Sequence, residues 1–304
     1  MLPDSMQPGL SNAIIQTVAY ADIFDFPVTA EEIHRYLIGV NSCLEETSTT
    51  LARDKQLACQ LSSRDDYYML PGRESIVEIR RQRSAAAARL WPHALRFGRL
   101  IANLPYVRML AVTGSLAVDN VTPRADIDYM VITANDRLWL VRAQIILLVR
   151  LAWRLHRIVL CPNFLVTERA LVLPDRSLYA ARELAQIVPL SGLDVYRRLR
   201  QANAWTCRFL PNAAGPPSSA LPPFRGRSWP KRLGETILQS SMGGQLERWE
   251  RNRKIPRLTR NQLSSAESKF TADWCKGHFQ EHGKRVLDAF LDRTEPVPVP
   301  HPLD

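Results

Sequence analysis

Cysteine is scarce in this chain, and its placement has no pattern. Five cysteines stand among 304 residues, at Cys43, Cys59, Cys161, Cys207 and Cys275. An odd, scattered set excludes a tight disulfide framework and reads as reduced thiols in a cytoplasmic protein. A secretory leader is not expected, because MLPDSMQPGLSNA lacks a basic segment followed by an apolar run. An uninterrupted apolar stretch of spanning length is missing too. The nearest, Leu138 to Leu155, carries Arg142, Arg150 and Arg154. Each is expensive at a bilayer centre, so a largely buried helix of a soluble protein is expected. No internal repeat is visible.

Composition is otherwise ordinary, 46% hydrophobic and 23% charged, which suits about two globular domains. The net charge of +10 is uneven. Fourteen Lys and Arg face three acids between Arg197 and Arg260, so the rest of the chain is near neutral. Such a segment either attracts phosphate-rich partners, nucleic acid among them, or is a solvated helical face with a basic linker.

The pattern predicts helices over Asn12 to Tyr20, from a Thr29/Glu32 capping box to Leu37, and over Glu45 to Lys55. Short strands at Leu57 to Leu61 and Tyr67 to Leu70 should follow. Three helices and a hairpin are the order of a winged-helix-like module, residues 1–73. Glu45 to Lys55 is its candidate recognition helix, but its mixed charge fits a scaffold or protein-contact role better than DNA. A long helix, residues 74–104, connects onward, with Pro92 expected to kink or split it.

Residues 105–210 then read as α+β with a small mixed sheet. Strands are expected at Val107 to Thr113, Asp126 to Thr133 and Ile158 to Val166, with a long helix from Asp136 to Arg157. Ser177 to Ile187 and Val195 to Phe209 read as helices. A proline-rich linker (211–230), a helical basic region (231–294, with helices at Leu233 to Arg253 and Ser264 to Leu291) and an extended tail (295–304) complete the plan.

The chemistry concentrates in VTGSLAVDNVTPRADIDYMVIT. Asp126 and Asp128 stand two apart on a predicted strand, so both carboxylates project from one face. Paired like charges call for a counter-charge, and hard oxygen ligands select Mg²⁺ or Mn²⁺. Gly114 lets backbone approach a phosphate, and Ser115 with nearby N–H groups can donate to it.

Gly-Ser, ten residues, then Asp-hydrophobic-Asp resembles the signature of the DNA polymerase beta-like nucleotidyltransferase superfamily. Elsewhere AYADIFDFPVTAEEIHRYLIG, LCPNFLV, AARELAQIVPLSG and NAWTCRFLPN resemble stretches of uncharacterised bacterial nucleotidyltransferase-domain proteins. The resemblance implies a mixed sheet flanked by helices. It also implies Mg²⁺-dependent transfer of a nucleoside monophosphate from a nucleoside triphosphate to an acceptor. Asp126 and Asp128 would hold the metal, with Gly114, Ser115 and Arg124 on the nucleotide.

Active members usually carry a third acid on the strand after the long helix. IVLCPNFLV offers Asn163 there, an auxiliary ligand at most, while Glu168, Asp175 and Glu183 lie beyond it. Three expectations follow: a two-carboxylate enzyme, a displaced third acid, or a catalytically silent nucleotide- or nucleic-acid-binding regulatory protein. Arg142 either faces this site or sits on a helix surface. Cys275, His278 and His282 could place a zinc set on one face of a helix, or be a solvated helix with a half-buried cysteine.

Overall fold

The computed structural model describes residues 9–122, 125–156, 159–217, 224, 229–260, 269–277 and 282–294. Along the chain run α1 (Leu10–Asp22), α2 (Ala30–Arg35), α3 (Leu44–Arg53), α4 (Lys55–Gln60), β1 (Ser62–Arg64), β2 (Tyr67–Met69) and α5 (Ile76–Ala102). Then come β3 (Val107–Thr113), β4 (Ile127–Thr133), α6 (Leu138–His156), β5 (Leu160–Thr167), α7 (Leu178–Gln186), β6 (Val188–Ser191) and α8 (Leu193–Ala202). The last are α9 (Trp229–Leu238), α10 (Ser241–Arg260), β7 (Lys269–Phe270), β8 (Trp274–Lys276) and α11 (His282–Thr294). The protein is mixed α+β, with a six-stranded mixed sheet and a separate hairpin. Among the described residues no helix is long and apolar enough to cross a membrane.

Two compact units form. One takes Met1–Arg80, Arg208–Asn212 and Gly283–Asp304; the other takes Arg81–Cys207 and Ala213–His282. In the first, the expected capping box closes. Thr29 Oγ1 accepts from the Glu32 amide, and the Glu32 carboxylate accepts from the Thr29 amide. Leu57 to Leu61 is a helix end rather than a strand. Asp54 terminates α3 and accepts from the amides of Gln56 and Leu57, which starts α4. β1 and β2 pair across Asp65 and Asp66, both with positive φ, a conformation aspartate tolerates in tight turns. Buried Asp22 accepts from both Arg73 and Arg293, which fastens α11 to this unit.

In the second unit, strand order is β6-β3-β4-β5-β8-β7. Only the β4–β5 pair is parallel, and α6 makes its crossover. Alternation along β4 sorts the core. Ile127, Tyr129 and Val131 face α5 and α6 with Leu110 and Val112; Met130 and Ile132 face Leu184 of α7 and Val195 and Leu199 of α8. Pro92 lies inside a continuous α5 and does not split it.

Two sequence expectations fail here. β6 was not foreseen; its Val188-Pro189-Leu190 sits at the sheet edge, where a missing N–H is tolerated. Of the helix expected over Ser264 to Leu291, the described residues instead form the β7–β8 hairpin and α11. Thr271 Oγ1 accepts from the amides of Asp273 and Trp274, and this side-chain turn competes with a helix.

The start of α6 is capped from a distance. Glu247 of α10 accepts from the amides of Trp139 (3.2 Å) and Leu140 (2.7 Å). These are first-turn N–H groups with no partner inside the helix. Glu247→Ala should therefore lower stability by about 2–4 kcal/mol, because two buried donors lose their acceptor. Equilibrium denaturant unfolding measures it, and an unchanged midpoint would remove this role.

Candidate metal and nucleotide site

The site is built where β3 ends beside β4. Thr113 pairs with Asp128, and the chain then turns sharply through a short 3-10 segment, Gly114–Val118. Gly114 holds φ at +65°, and a Cβ there would stand 2.6 Å from Asp128 Oδ2. Glycine is thus required twice, by conformation and by closeness to a carboxylate. The turn is fastened on its far side. Asp119, itself at φ +53°, accepts from the Trp91 indole (2.7 Å), and Asn120 accepts from Arg83 (3.2 Å), both residues of α5. Ser115 is partly exposed, and its carbonyl accepts from the Asn120 amide.

Gly114→Ala should cost about 1–2 kcal/mol from the left-handed conformation alone and displace the Asp128 carboxylate. Thermal unfolding with and without Mn²⁺ reads both effects: a lower midpoint and a smaller cation-induced shift.

Ile127 points into the core, as the strand pattern requires, and the acids take the other side. Ligand atoms of Asp126, Asp128 and Cys161 all lie within 4.8 Å of one another. Asp126 is exposed; Asp128 and Cys161 are half-buried. Burial is the largest influence on Asp128, and the charges of Asp126 and Glu183 add to it. Together they push its carboxyl up to about 7, against a hydrogen bond from Cys161.

Cys161, rather than Asn163, is the residue the register sets opposite Asp128. The register shifts between Asp128 and Met130, so that Phe164 follows opposite Met130. Pro162 falls in this irregularity, where no ladder N–H is needed. Asn163 lies on β5 inside the shift, and Arg124 lies outside the described residues.

Asp128 and Gly114 line a cavity of about 420 Å³. Its floor is apolar, with Met130, Phe164, Leu184 and Trp274. Three further polar groups enter it from elements that sequence reading left apart: Glu183 of α7, Lys269 of β7 and Lys276 of β8. Glu183 is half-buried, and burial raises its carboxyl, while the charges of Lys276 and Arg182 act in the opposite direction. Lys269 Nζ stands 4.9 Å from the Trp274 ring centre and Lys276 Nζ 5.6 Å from that of Phe164. Cation–ring contacts of this kind hold flexible lysines in place.

The other candidates separate. Asp175 lines the cavity and accepts from the Ser177 amide. Glu168 is taken by Arg198 (2.5 Å) and Arg108 (3.6 Å). Arg142 does not face the site; it packs over Trp139 and beside Cys275 in the α6 layer. The zinc reading loses its geometry, because Cys275 lies on a strand in that layer. His282 meets Tyr179 of the cavity wall, and His278 lies outside the described residues.

Part of the basic surplus is spent inside the fold. Lys231 is buried and donates to the carbonyls of Ala102 and Val107; Arg200 donates to those of Leu184 and Ala213. Arg232, Arg248, Arg257 and Arg260 remain exposed. No protein-family model, curated protein or solved structure matches the chain.

Proposed function

We propose that the second unit is a nucleotidyltransferase-type domain that moves a nucleoside monophosphate from a nucleoside triphosphate to an acceptor. One observation carries this reading: the Gly114 turn is seated on Asp128, beside Asp126 and Cys161, in the wall of a cavity that also holds Glu183 and two lysines. The donor set fits a dication, since two carboxylates and a thiol converge within ligand reach and Glu183 adds further negative charge nearby. A bound Mg²⁺ or Mn²⁺ neutralises charge at the transferring phosphoryl group and aligns the attack.

The remaining roles belong to the chain itself. Asp126 and Asp128 hold the cation. Gly114 and Ser115 bring backbone N–H groups to the triphosphate, and Lys269 and Lys276 supply positive charge to its oxygens. The apolar floor excludes water and seats the base or the acceptor. Glu183 accepts the proton of the acceptor hydroxyl; the burial that raises its carboxyl makes it a stronger base than an exposed carboxylate. The helices and hairpin of the first unit support a winged-helix-like scaffold.

A thiol where a third carboxylate is expected favours a second reading, nucleotide binding without turnover. Calorimetric titration with a non-hydrolysable nucleoside triphosphate, in Mg²⁺ and in Mn²⁺, tests both. Absence of binding in either cation defeats both readings. Binding with no pyrophosphate release from hydrolysable nucleotides, across hydroxyl-bearing acceptors, leaves the second.

A further inference from the structure

The sheet register places sulfur where a hard oxygen ligand is expected. Cys161 stands opposite Asp128 on the parallel neighbour strand and donates a hydrogen bond to its carboxylate. Its Sγ shares the 4.8 Å neighbourhood of the Asp126 and Asp128 oxygens. A third carboxylate stands nearby. Glu183 lines the same cavity wall, and its charge acts on Asp128. Asp126 and Glu183 both place negative charge beside half-buried Asp128, and a cation among them relieves that repulsion.

The donors decide which cation that is. Mg²⁺ demands near-octahedral oxygen ligation and gives up its water reluctantly. Thiolate sulfur instead favours borderline d-block dications, for which carboxylate oxygens are also acceptable. Tetrahedral ligands at about 2.0–2.3 Å from such an ion lie roughly 3.5 Å apart. A modest side-chain closure from the observed spacing brings all three ligands onto one ion.

We infer that Cys161 is a ligand of the site's cation and that the site prefers a transition-metal dication of the Zn²⁺ and Co²⁺ class to Mg²⁺. This deepens, and rests on, the metal-dependent reading above. Coordination replaces the S–H bond by an S–metal bond; the proton leaves to solvent by way of the Asp128 carboxylate that already accepts it. No oxidation state changes.

The test uses the full chain stripped with chelator and titrated with Co²⁺. A sulfur-to-cobalt charge-transfer absorption is expected. It should vanish in Cys161→Ser and in the Asp126→Asn, Asp128→Asn double variant, which separates this site from the other four cysteines. Cys161→Ser should weaken Co²⁺ binding by at least about tenfold, since even outer-shell changes cost about 10–100-fold, and leave Mg²⁺ binding within about twofold. Cys161→Asp should lack the band and bind Mg²⁺ at least about tenfold more tightly. Circular dichroism and Cys161→Ala control for folding.

Co²⁺ binding without the band, equal Co²⁺ affinity in Cys161→Ser, or no Co²⁺ binding at all would each overturn the inference. Nucleotide binding in Mg²⁺ is measured in parallel. If it persists in Cys161→Ser without a cobalt band in the wild type, thiol ligation fails while the nucleotidyltransferase reading stands. A band without any nucleotide binding gives the reverse.

Discussion

The double variant Asp126→Asn, Asp128→Asn is expected to lose cation-dependent nucleotide binding and to lower transfer by about three orders of magnitude or more. Cation stabilisation of a phosphoryl transition state is worth several kcal/mol, and each 1.4 kcal/mol is roughly tenfold in rate. The same change should make the metal-free protein more stable above neutrality. The Asp128 carboxyl is pushed from the ordinary 3.8 to about 7 by burial and by two neighbouring carboxylates. Between those values the folded protein keeps a proton that the unfolded chain has released. Stability of the chelator-treated wild type is therefore full below about pH 4 and falls as pH rises through 7, by at most about 4–5 kcal/mol. Asparagine carries no charge to bury, so the variant lacks this slope and should gain about 1–3 kcal/mol at pH 8. Denaturant unfolding from pH 5 to pH 9, with chelator and then with Mn²⁺, measures both effects. Equal pH slopes in the two proteins would remove the electrostatic account of the site.

That combination, a residue pair unfavourable to the bare fold and necessary to the ligand, separates a functional pair from two surface aspartates. Surface carboxylates change stability little when neutralised. Here Gly114 permits the approach, Ile127 anchors the strand in the core between the two acids, and Cys161 hydrogen-bonds to the one that is half-buried. Each of these serves the geometry at a local cost in stability or charge.

Much of this was legible from residues close together in the chain. β3 runs from Val107 to Thr113 as its apolar run indicates, and the Thr29/Glu32 capping box forms. Asp128 lies on β4 and Asp126 just before it, since β4 starts one residue later than expected, yet their ligand atoms come within 4.8 Å of each other. What escaped depends on register and on long-range return of the chain. Asn163 drew attention as the polar side chain on the third strand, but the irregularity at Pro162 sets Cys161 beside Asp128. A cysteine among unpaired cysteines carries no local signal of ligation; pairing its strand residue by residue with β4 was the signal that could have found it. Lys269 and Lys276 escaped because a polar, turn-forming stretch near Thr271 was read as helix, although Thr271 and Asp273 are turn formers. Glu183 was visible as a candidate acid, but only the packing of α7 against the sheet brings it to the cavity.

The two lysines should matter second only to the carboxylates. Lys269→Met and Lys276→Met keep an unbranched side chain of similar length for the Trp274 and Phe164 rings and remove the charge. A charge-assisted hydrogen bond contributes about 1.5–3 kcal/mol. Each variant should therefore bind a non-hydrolysable nucleoside triphosphate about 10–100-fold more weakly, while cation binding without nucleotide changes little. The two should then diverge in their pH profiles. Lys276 is the largest charge lowering the Glu183 carboxyl. Its removal raises that carboxyl further, so the acidic limb of the rate profile should move to higher pH in Lys276→Met. It should stay in place in Lys269→Met, because Lys269 is not among the charges acting on Glu183. Adding Glu183→Gln should abolish the difference between the two limbs, since the titrating group is then gone. Equal affinities in wild type and both methionine variants would mean that the triphosphate lies away from β7 and β8. Unequal affinities with identical acidic limbs would place the lysines on phosphate and remove Glu183 from the proton-accepting role.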